Sequence, residues 1–179
     1  MEQNLELIQL FKSGDHKTFE QIYSDTKKLV YNIVYKMTLD VEESNDIMHD
    51  VYVKVYENRT KYKPMVAIKY WICKIAVNHT KNILKQKSRH KKNIAAVGFF
   101  YHKQIVSEEK DFSDGIVLPI LSKMNEKYKL PIILKDIEEL SYIEIAEVLN
   151  IKIGTVRSRL NRGRKILLEL YKKKEASNG

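Results

Sequence analysis

Apolar residues recur at helical spacing along two long stretches of this chain, and this pattern limits its fold more than any other feature. The first stretch covers residues 5–89, with candidate breaks at 13–15, 38–40 and 58–64, and the second covers residues 116–170. Apolar side chains three or four positions apart share one helical face, so both stretches predict helices that bury that face. With only 6 glycines and 3 prolines, the chain also lacks the turn residues that many short strands require. The sequence therefore predicts an all-α fold.

The two stretches are separated by residues 93–115, which show no sustained periodicity and contain glycines, serines and a run of charges. Such a composition is typical of a flexible linker. We therefore predict two small helical domains, residues 1–92 and 116–179. Within the linker, residues 94–101 are apolar but too few to span a bilayer. They either pack on one domain or dock on a partner, and the sequence leaves both roles open.

The charge of the chain indicates the class of its partner. Lysine and arginine number 32 against 23 acidic residues, which gives a net charge of +9. Such an excess favours a polyanionic partner, with nucleic acid first and an anionic membrane surface as the rival. The chain opens on acidic and polar residues, and no apolar run reaches membrane-spanning length. We therefore expect a soluble, cytoplasmic protein that does not insert into membranes.

Metal and cofactor sites are not expected. Cys73 is the only cysteine, so it cannot form an internal disulfide and has no partner for a structural zinc site. The histidines His16, His79, His90 and His102 show no metal-ligand spacing with carboxylates or thiols. We expect Cys73 to be a buried or half-buried packing residue, and the protein to need no metal or cofactor.

A helix-turn-helix is predicted towards the end of the chain. Ser141 and Glu144 form a capping-box pattern that opens a helix over residues 142–149. Asn150 tolerates the left-handed backbone conformation that the following turn needs. A second helix then begins near residue 154 and ends near residue 171.

The second of these helices has a polar, basic face opposite its apolar one. That face presents Thr155, Arg157, Ser158, Asn161, Arg162 and Lys165. Arginine pairs with guanine edges, asparagine with adenine, and lysine or hydroxyl groups with phosphates, so this face suits the major groove of DNA. The plainer alternative is a solvated basic face on an ordinary helical hairpin. It is not favoured, because the spacing, the turn residue and the charge agree.

Both domains resemble one known family. Residues 140–149 and 153–160 closely resemble region 4 of extracytoplasmic-function (ECF) sigma factors, and residues 46–52 and 70–78 resemble region 2 of the same family. The two regions occur in the family's order, with a linker between them that is variable in the family. The resemblance implies a promoter-recognition subunit that binds core RNA polymerase and promoter DNA. An anti-sigma factor partner is implied by the family and by no particular residue.

The resemblance also implies roles for the second domain. Four residues of its recognition helix align with positions that read the upstream (-35) promoter element: Arg157, Ser158, Asn161 and Arg162. Three others would hold the DNA backbone: Thr155, Arg164 and Lys165.

An acidic strip is predicted on the helix after Asp40. Asp46, His49, Asp50 and Val53 share one helical face, opposite apolar residues of the same helix. Without the resemblance, a solvated acidic face would be the favoured interpretation. In the family this strip docks on a coiled coil of the largest polymerase subunit. His49 replaces the glutamine usual at its position.

A mixture of cations, aromatic rings and an amide follows this helix. Its members are Arg59, Lys61, Tyr62, Lys63, Tyr70, Asn78 and Lys81. Cations follow phosphates and rings or amides receive an unstacked base, so this surface suits single-stranded DNA. The resemblance implies that the loop 58–68 and Asn78 capture a base flipped out of the downstream (-10) element. Trp71, by contrast, is expected in the core, because it is in helical register with neighbouring apolar residues.

Two other classes of protein compete with this interpretation. A transcriptional regulator with a sensing or dimerising first domain explains the helix-turn-helix equally well, but it leaves the acidic strip and the aromatic-basic surface unexplained. A metal-dependent nuclease could use Glu43, Asp46 and Asp50. These carboxylates lie on one helix, with no second element to complete a pocket and no phosphate-binding glycine loop. We therefore expect no enzymatic activity and no small-molecule substrate.

Overall fold

The computed structural model of the chain describes residues 5–95 and 114–176, and every secondary-structure element within them is helical. The all-α prediction is therefore confirmed. The chain divides into two compact units, Met1–Glu108 and Glu109–Gly179. One helix of the first unit ends at Ala95 and one of the second begins at Asp114, so both reach slightly into the predicted linker. The rest of that linker, with most of the apolar segment 94–101, lies outside the described residues.

The first unit is a helical bundle. Its elements are α1 (Leu5–Ser13), α2 (His16–Thr38), α3 (Val41–Glu57), a 3₁₀ turn (Arg59–Lys61) and α4 (Ile68–Ala95). The breaks between them fall where the sequence predicts them. Helices α2, α3 and α4 pack against one another, and α1 packs on α2 and on the 3₁₀ turn.

Aspartates start two of these helices. The Asp15 side chain accepts a hydrogen bond from the Thr18 backbone N–H at 2.9 Å, and Asp40 accepts one from the Glu43 N–H at 2.9 Å. Each bond satisfies an N–H group that has no partner within its own helix. The bond from the Thr18 backbone also holds the pKa of the Asp15 carboxyl below its usual value.

Apolar side chains from the three long helices fill the core of this unit. The fully buried ones include Val30, Ile33, Val34, Ile47, Val51, Val55, Ile72, Cys73, Ala76 and Val77. Cys73 is thus the packing residue that the sequence predicts. A polar pair is also enclosed: the Thr26 hydroxyl donates to the Ile22 carbonyl at 2.6 Å and lies 2.8 Å from the Tyr52 hydroxyl, which therefore donates to Thr26. Burial raises the pKa of Tyr52 to about 12.

An aromatic cluster closes one part of the bundle and corrects a prediction. The Tyr62 ring lies 6.2 Å from the Phe11 ring and 5.3 Å from the Trp71 ring, and Tyr62 is completely buried. Its hydroxyl donates to the Val66 carbonyl at 2.6 Å. The sequence analysis assigns Tyr62 to a surface that faces DNA, but α1 supplies a ring that covers it, so Tyr62 is a core residue in this structure. Trp71 joins this cluster as expected, with part of its side chain exposed.

Every secondary-structure element in the described part of the second unit is also helical. Its elements are α5 (Asp114–Ser122), α6 (Glu126–Ile132), a π-helical segment (Ile133–Ile137), α7 (Tyr142–Leu149) and α8 (Ile153–Ala176). Helix α8 packs against α6, α7 and α5. The core comes from all of them and includes Leu121, Leu130, Ile132, Ile133, Leu134, Ile145, Val156 and Leu160.

The helix-turn-helix prediction is confirmed in its local chemistry. The Ser141 hydroxyl accepts from the Glu144 N–H at 3.3 Å, and Glu144 accepts in return from the Ser141 N–H at 2.7 Å. Asn150 ends α7 in the left-handed conformation, with φ 53° and ψ 52°. The capping box therefore fixes where α7 begins, and Asn150 turns the chain towards α8.

Gly163 allows α8 to approach α6 closely. A Cβ at this position would lie 3.0 Å from Ile132 Cδ1 and 3.1 Å from the Tyr128 carbonyl oxygen. Contacts this short require the neighbours to shift, so a residue without a side chain suits this crossing. Gly163 is one buried-face residue of α8 that the sequence prediction missed.

Candidate functional site

The acidic strip lies on the exposed side of α3, as the helical register predicts. Asp46, His49 and Asp50 are exposed, and Val53 is 44% exposed. The opposite side of α3 carries Ile47, Val51 and Val55, which are at most 2% exposed. Because the core holds that side, the strip has a fixed orientation and faces away from the bundle. It offers carboxylates, an imidazole and an apolar side chain to a partner.

One carboxylate of this strip contacts α4. The Asp50 carboxylate lies 3.2 Å from His79 Nε2. The two residues are 29 positions apart in the sequence, so this contact could not be read from spacing. It joins the acidic strip to the helix that carries Asn78.

A shallow groove of about 410 Å³ lies between α3, the 3₁₀ turn and α4. Its lining includes Lys54, Asn58, Lys61, Trp71, Asn78 and Asn82. The structure thus brings Lys61 and Asn78, both predicted from the sequence, to one cavity. The Lys61 ammonium donates to the Asn58 side-chain oxygen at 2.8 Å. Sequence reasoning missed Lys54 and Asn82, although Asn82 follows Asn78 by one helical turn. Amides, ammonium groups and an indole edge can together bind a base and its phosphate.

The other predicted residues of this surface are not among those that line the groove. Arg59 packs its guanidinium over the Tyr56 ring at 4.1 Å and donates to the Tyr56 carbonyl at 2.8 Å. Lys63 is exposed, whereas Tyr70 and Lys81 are half-buried. All four side chains are at least partly exposed to solvent on the first unit.

A second groove, of about 440 Å³, adjoins the acidic strip between α2 and α3. It is lined by His49 together with Tyr23, Lys27, Tyr31, Met48 and Tyr52. This groove was not predicted from the sequence, although Tyr23, Lys27 and Tyr31 recur every four residues and so share one face of α2. The groove extends the α3 strip with aromatic and cationic groups.

The recognition face of α8 is exposed, as predicted. Arg157, Ser158, Asn161, Arg162, Arg164 and Lys165 are exposed, and Thr155 is half-buried. The Ser158 hydroxyl donates to the Thr155 carbonyl at 3.0 Å. The buried Val156 and Leu160 hold the opposite side of the helix. The face therefore presents arginine, amide and hydroxyl groups from a helix whose orientation the core fixes.

Two arginines of α8 contact other helices. The Arg162 guanidinium lies 5.6 Å from the centre of the Tyr128 ring. Arg164 is engaged by the Asp136 carboxylate, and the hydrogen bond between them raises the pKa of Arg164. The Arg162 side chain remains exposed, whereas Arg164 is hydrogen-bonded to the Asp136 carboxylate. This contact was not predicted from the sequence.

No metal-binding cluster of three or more His, Cys, Asp or Glu side chains occurs within residues 5–95 and 114–176. In the same part of the chain, no helix is both long and apolar enough to cross a bilayer.

Comparison with known families assigns both units. Residues 22–90 match the model for Sigma-70 region 2, and residues 115–167 match the model for Sigma-70 region 4. The protein therefore has the two regions of an RNA polymerase sigma factor. It is 33% identical over 172 residues to the ECF sigma factor SigW of Bacillus subtilis, covering 89% of this chain and 92% of SigW. It is 25% identical to the sigma-H factor of Pseudomonas aeruginosa, covering 93% of this chain and 92% of that protein.

Solved structures show the same fold. The structure of CnrH in complex with the cytosolic domain of CnrY matches with a TM-score of 0.71 at 18% identity, covering 93% of this chain and 96% of CnrH. The sigma factor RpoE of Bartonella quintana, in complex with the anti-sigma factor NepR, matches with a TM-score of 0.74 at 19% identity, covering 87% and 98%. The chain belongs to the ECF family of sigma factors. It is an alternative sigma factor that associates with RNA polymerase and directs transcription initiation at promoters, and its family consists of initiation factors that are not enzymes.

Proposed function

We propose that the α3 strip is the surface that docks on core RNA polymerase. Asp46, His49, Asp50 and Val53 would contact a basic coiled coil of the largest subunit. The observation that carries this proposal is the exposure of two carboxylates on the outer side of α3, in a chain of net charge +9. On such a chain, carboxylates that face away from the bundle are suited to a basic protein partner and repel DNA.

We propose that the groove between α3 and α4 receives unpaired DNA of the -10 element. Asn78 would hydrogen-bond the captured base, and Lys61 would neutralise its phosphate. Three cations and one ring of the same unit would guide the strand: Arg59, Lys63, Lys81 and Tyr70. The shared cavity of Lys61 and Asn78 supports this assignment, and Tyr62 has no part in it because it is buried.

We propose that α8 reads the -35 element. Arg157, Ser158, Asn161 and Arg162 would contact base edges, and Thr155 and Lys165 would hold the backbone. Residues 1–92 thus act as region 2 and residues 116–179 as region 4, with 93–115 as the linker. No catalysis, metal or small-molecule substrate is involved in these roles.

We also propose that an anti-sigma factor controls this protein, as the complex of its structural neighbour RpoE with NepR suggests. The protein would act in the bacterial cytoplasm, on the nucleoid when it is bound to polymerase.

Mutations in α8 can distinguish contacts to the DNA bases from contacts to the DNA backbone. Arg162→Ala is expected to weaken binding to the preferred promoter by about 1–3 kcal/mol and to relax the choice of sequence, because a base contact is lost. Lys165→Ala is expected to weaken all promoters alike and to reduce the slope of log affinity against log salt by about 0.9, because one phosphate contact is lost. Titrations of promoter DNA with holoenzyme at several salt concentrations measure both. The same promoter-independent loss in both variants would contradict the assignment.

The function as a whole is tested by transcription in vitro. Core polymerase is mixed with the purified full-length chain and a template library, and transcripts are mapped. We expect initiation at a defined class of promoters without any other sigma factor. A requirement for a second sigma factor would instead indicate a transcriptional regulator.

A further inference from the structure

A bidentate ion pair connects the recognition helix to the segment before the helix-turn-helix. Arg164 Nε donates to Asp136 Oδ2 at 3.0 Å, and Arg164 Nη2 donates to the second carboxylate oxygen of Asp136. Asp136 lies in the π-helical segment Ile133–Ile137, and Arg164 lies in α8. This fork-to-fork geometry fixes the orientation of both groups as well as their distance.

The pair lies beside a tight packing contact between α8 and α6. The neighbouring Gly163 is in close approach to α6 on the buried side of the same turn. After Asp136, the chain passes through Glu139, which has φ 57°, and the buried Leu140 to the cap of α7. The ion pair therefore links α8 to the segment that leads directly into α7. It opposes rotation of α8 about its axis, and such a rotation would turn the base-reading side chains away from the major groove of the bound DNA.

The charge of the pair argues against a phosphate contact for Arg164. Two of its donor nitrogens are already used by Asp136, and the two formal charges cancel. A neutral pair displaces no condensed counterions from DNA, whereas a free lysine or arginine does. An acidic residue next to a phosphate-binding arginine would also weaken its attraction to DNA.

We propose that Arg164 is a positioning residue: it holds α8 in register through Asp136 and does not contact the DNA backbone. The proposal rests on the proposed reading of the -35 element by α8. It changes the role that the family resemblance implies for Arg164, and it assigns Asp136 a part in promoter selection.

The two roles predict opposite effects for Asp136→Ala. If Arg164 positions α8, removal of Asp136 weakens promoter binding about two- to fivefold, the range of a good exposed ion pair, although the chain becomes more positive. If Arg164 binds phosphate, removal of Asp136 frees the guanidinium and strengthens binding. Arg164→Lys separates the roles in a second way, because lysine keeps the point charge but loses the fork.

The experiment uses holoenzyme made with the full-length chain and titrates promoter DNA at several salt concentrations. One promoter carries the preferred -35 element and another an altered one. The variants are Asp136→Ala, Arg164→Ala, Arg164→Lys and the double alanine, with Lys165→Ala as the matched control. Thermal unfolding of each variant establishes that it is folded at the assay temperature.

We expect Asp136→Ala, Arg164→Ala and Arg164→Lys to show a similar loss of binding and of discrimination between promoters, with an unchanged salt slope. The double variant should be no weaker than either single alanine, because both remove one interaction. Unchanged or tighter binding by Asp136→Ala, or a salt slope lowered by about 0.9 in Arg164→Ala, would overturn the proposal. If Lys165→Ala and Arg162→Ala both leave affinity, promoter discrimination and salt slope intact, the proposed DNA-binding role of α8 itself fails, and this result is separate from the outcome for the ion pair.

Discussion

Replacement of both Asp46 and Asp50 by lysine is expected to lower the affinity of the chain for core RNA polymerase by about a hundredfold or more. Both carboxylates lie on the exposed side of α3, where lysine would face the cations of a basic coiled coil. Loss of one partner of a hydrogen-bonded charge pair that the interface buries costs about 2–5 kcal/mol, and about 1.4 kcal/mol corresponds to a tenfold change. Titration of a fluorescently labelled chain with core polymerase, in the absence of DNA, measures the effect.

Replacement of both Glu20 and Asp25 by lysine is the matched control, because both residues are exposed on α2 and the pair makes the same change of charge outside the strip. It should leave the affinity within about twofold of the original, the range usual for a surface substitution. Equal losses in the control and in the Asp46/Asp50 variant would show that net charge governs association. Full affinity in the Asp46/Asp50 variant would show that the strip is not part of the polymerase interface.

Tyr62→Ala is expected to destabilise the first unit by about 3–5 kcal/mol, the cost of deleting a large buried ring. Tyr62 is completely buried against Phe11 and Trp71. Since Trp71 is the only tryptophan of the chain, its fluorescence during denaturant unfolding reports the stability of this unit.

Two other variants show whether packing is the cause. Tyr62→Phe keeps the ring and removes the hydrogen bond to the Val66 carbonyl, so it should cost about 1 kcal/mol. Lys63→Ala, at the exposed neighbouring position, should change stability by no more than about 0.5 kcal/mol. If Tyr62→Ala unfolds at the same denaturant concentration as Lys63→Ala but fails to open promoters, Tyr62 contacts DNA after all.

The sequence predicts the features of this fold that are local. The breaks between helices follow from turn and capping residues within a few positions of one another, and so do the capping box at Ser141 and the turn at Asn150. The exposed side of α3 follows from its buried side, because helical periodicity relates the two. These predictions need no knowledge of how the helices pack.

The sequence does not predict the contacts that depend on distant partners. Tyr62 lies among cations, which suggest a surface position, and only the packing of α1 places Phe11 over it. The Asp50–His79 contact joins residues 29 positions apart, and the Asp136–Arg164 pair joins residues 28 positions apart. Both pairs depend on how helices cross, and the sequence around each residue has no pattern that identifies its partner. For that reason the sequence alone assigns Arg164 to the DNA backbone.

The most direct test of the two-site binding of promoter DNA is a footprint of the reconstituted holoenzyme that also probes unpaired thymines with permanganate. We expect protection at the upstream element and reactive thymines at the downstream element on the same DNA molecules. Arg162→Ala should reduce the protection, and Asn78→Ala should reduce the thymine reactivity while the protection persists. Protection of a single DNA site without reactive thymines, unchanged when core polymerase is omitted, would contradict the proposed function and indicate an operator-binding protein.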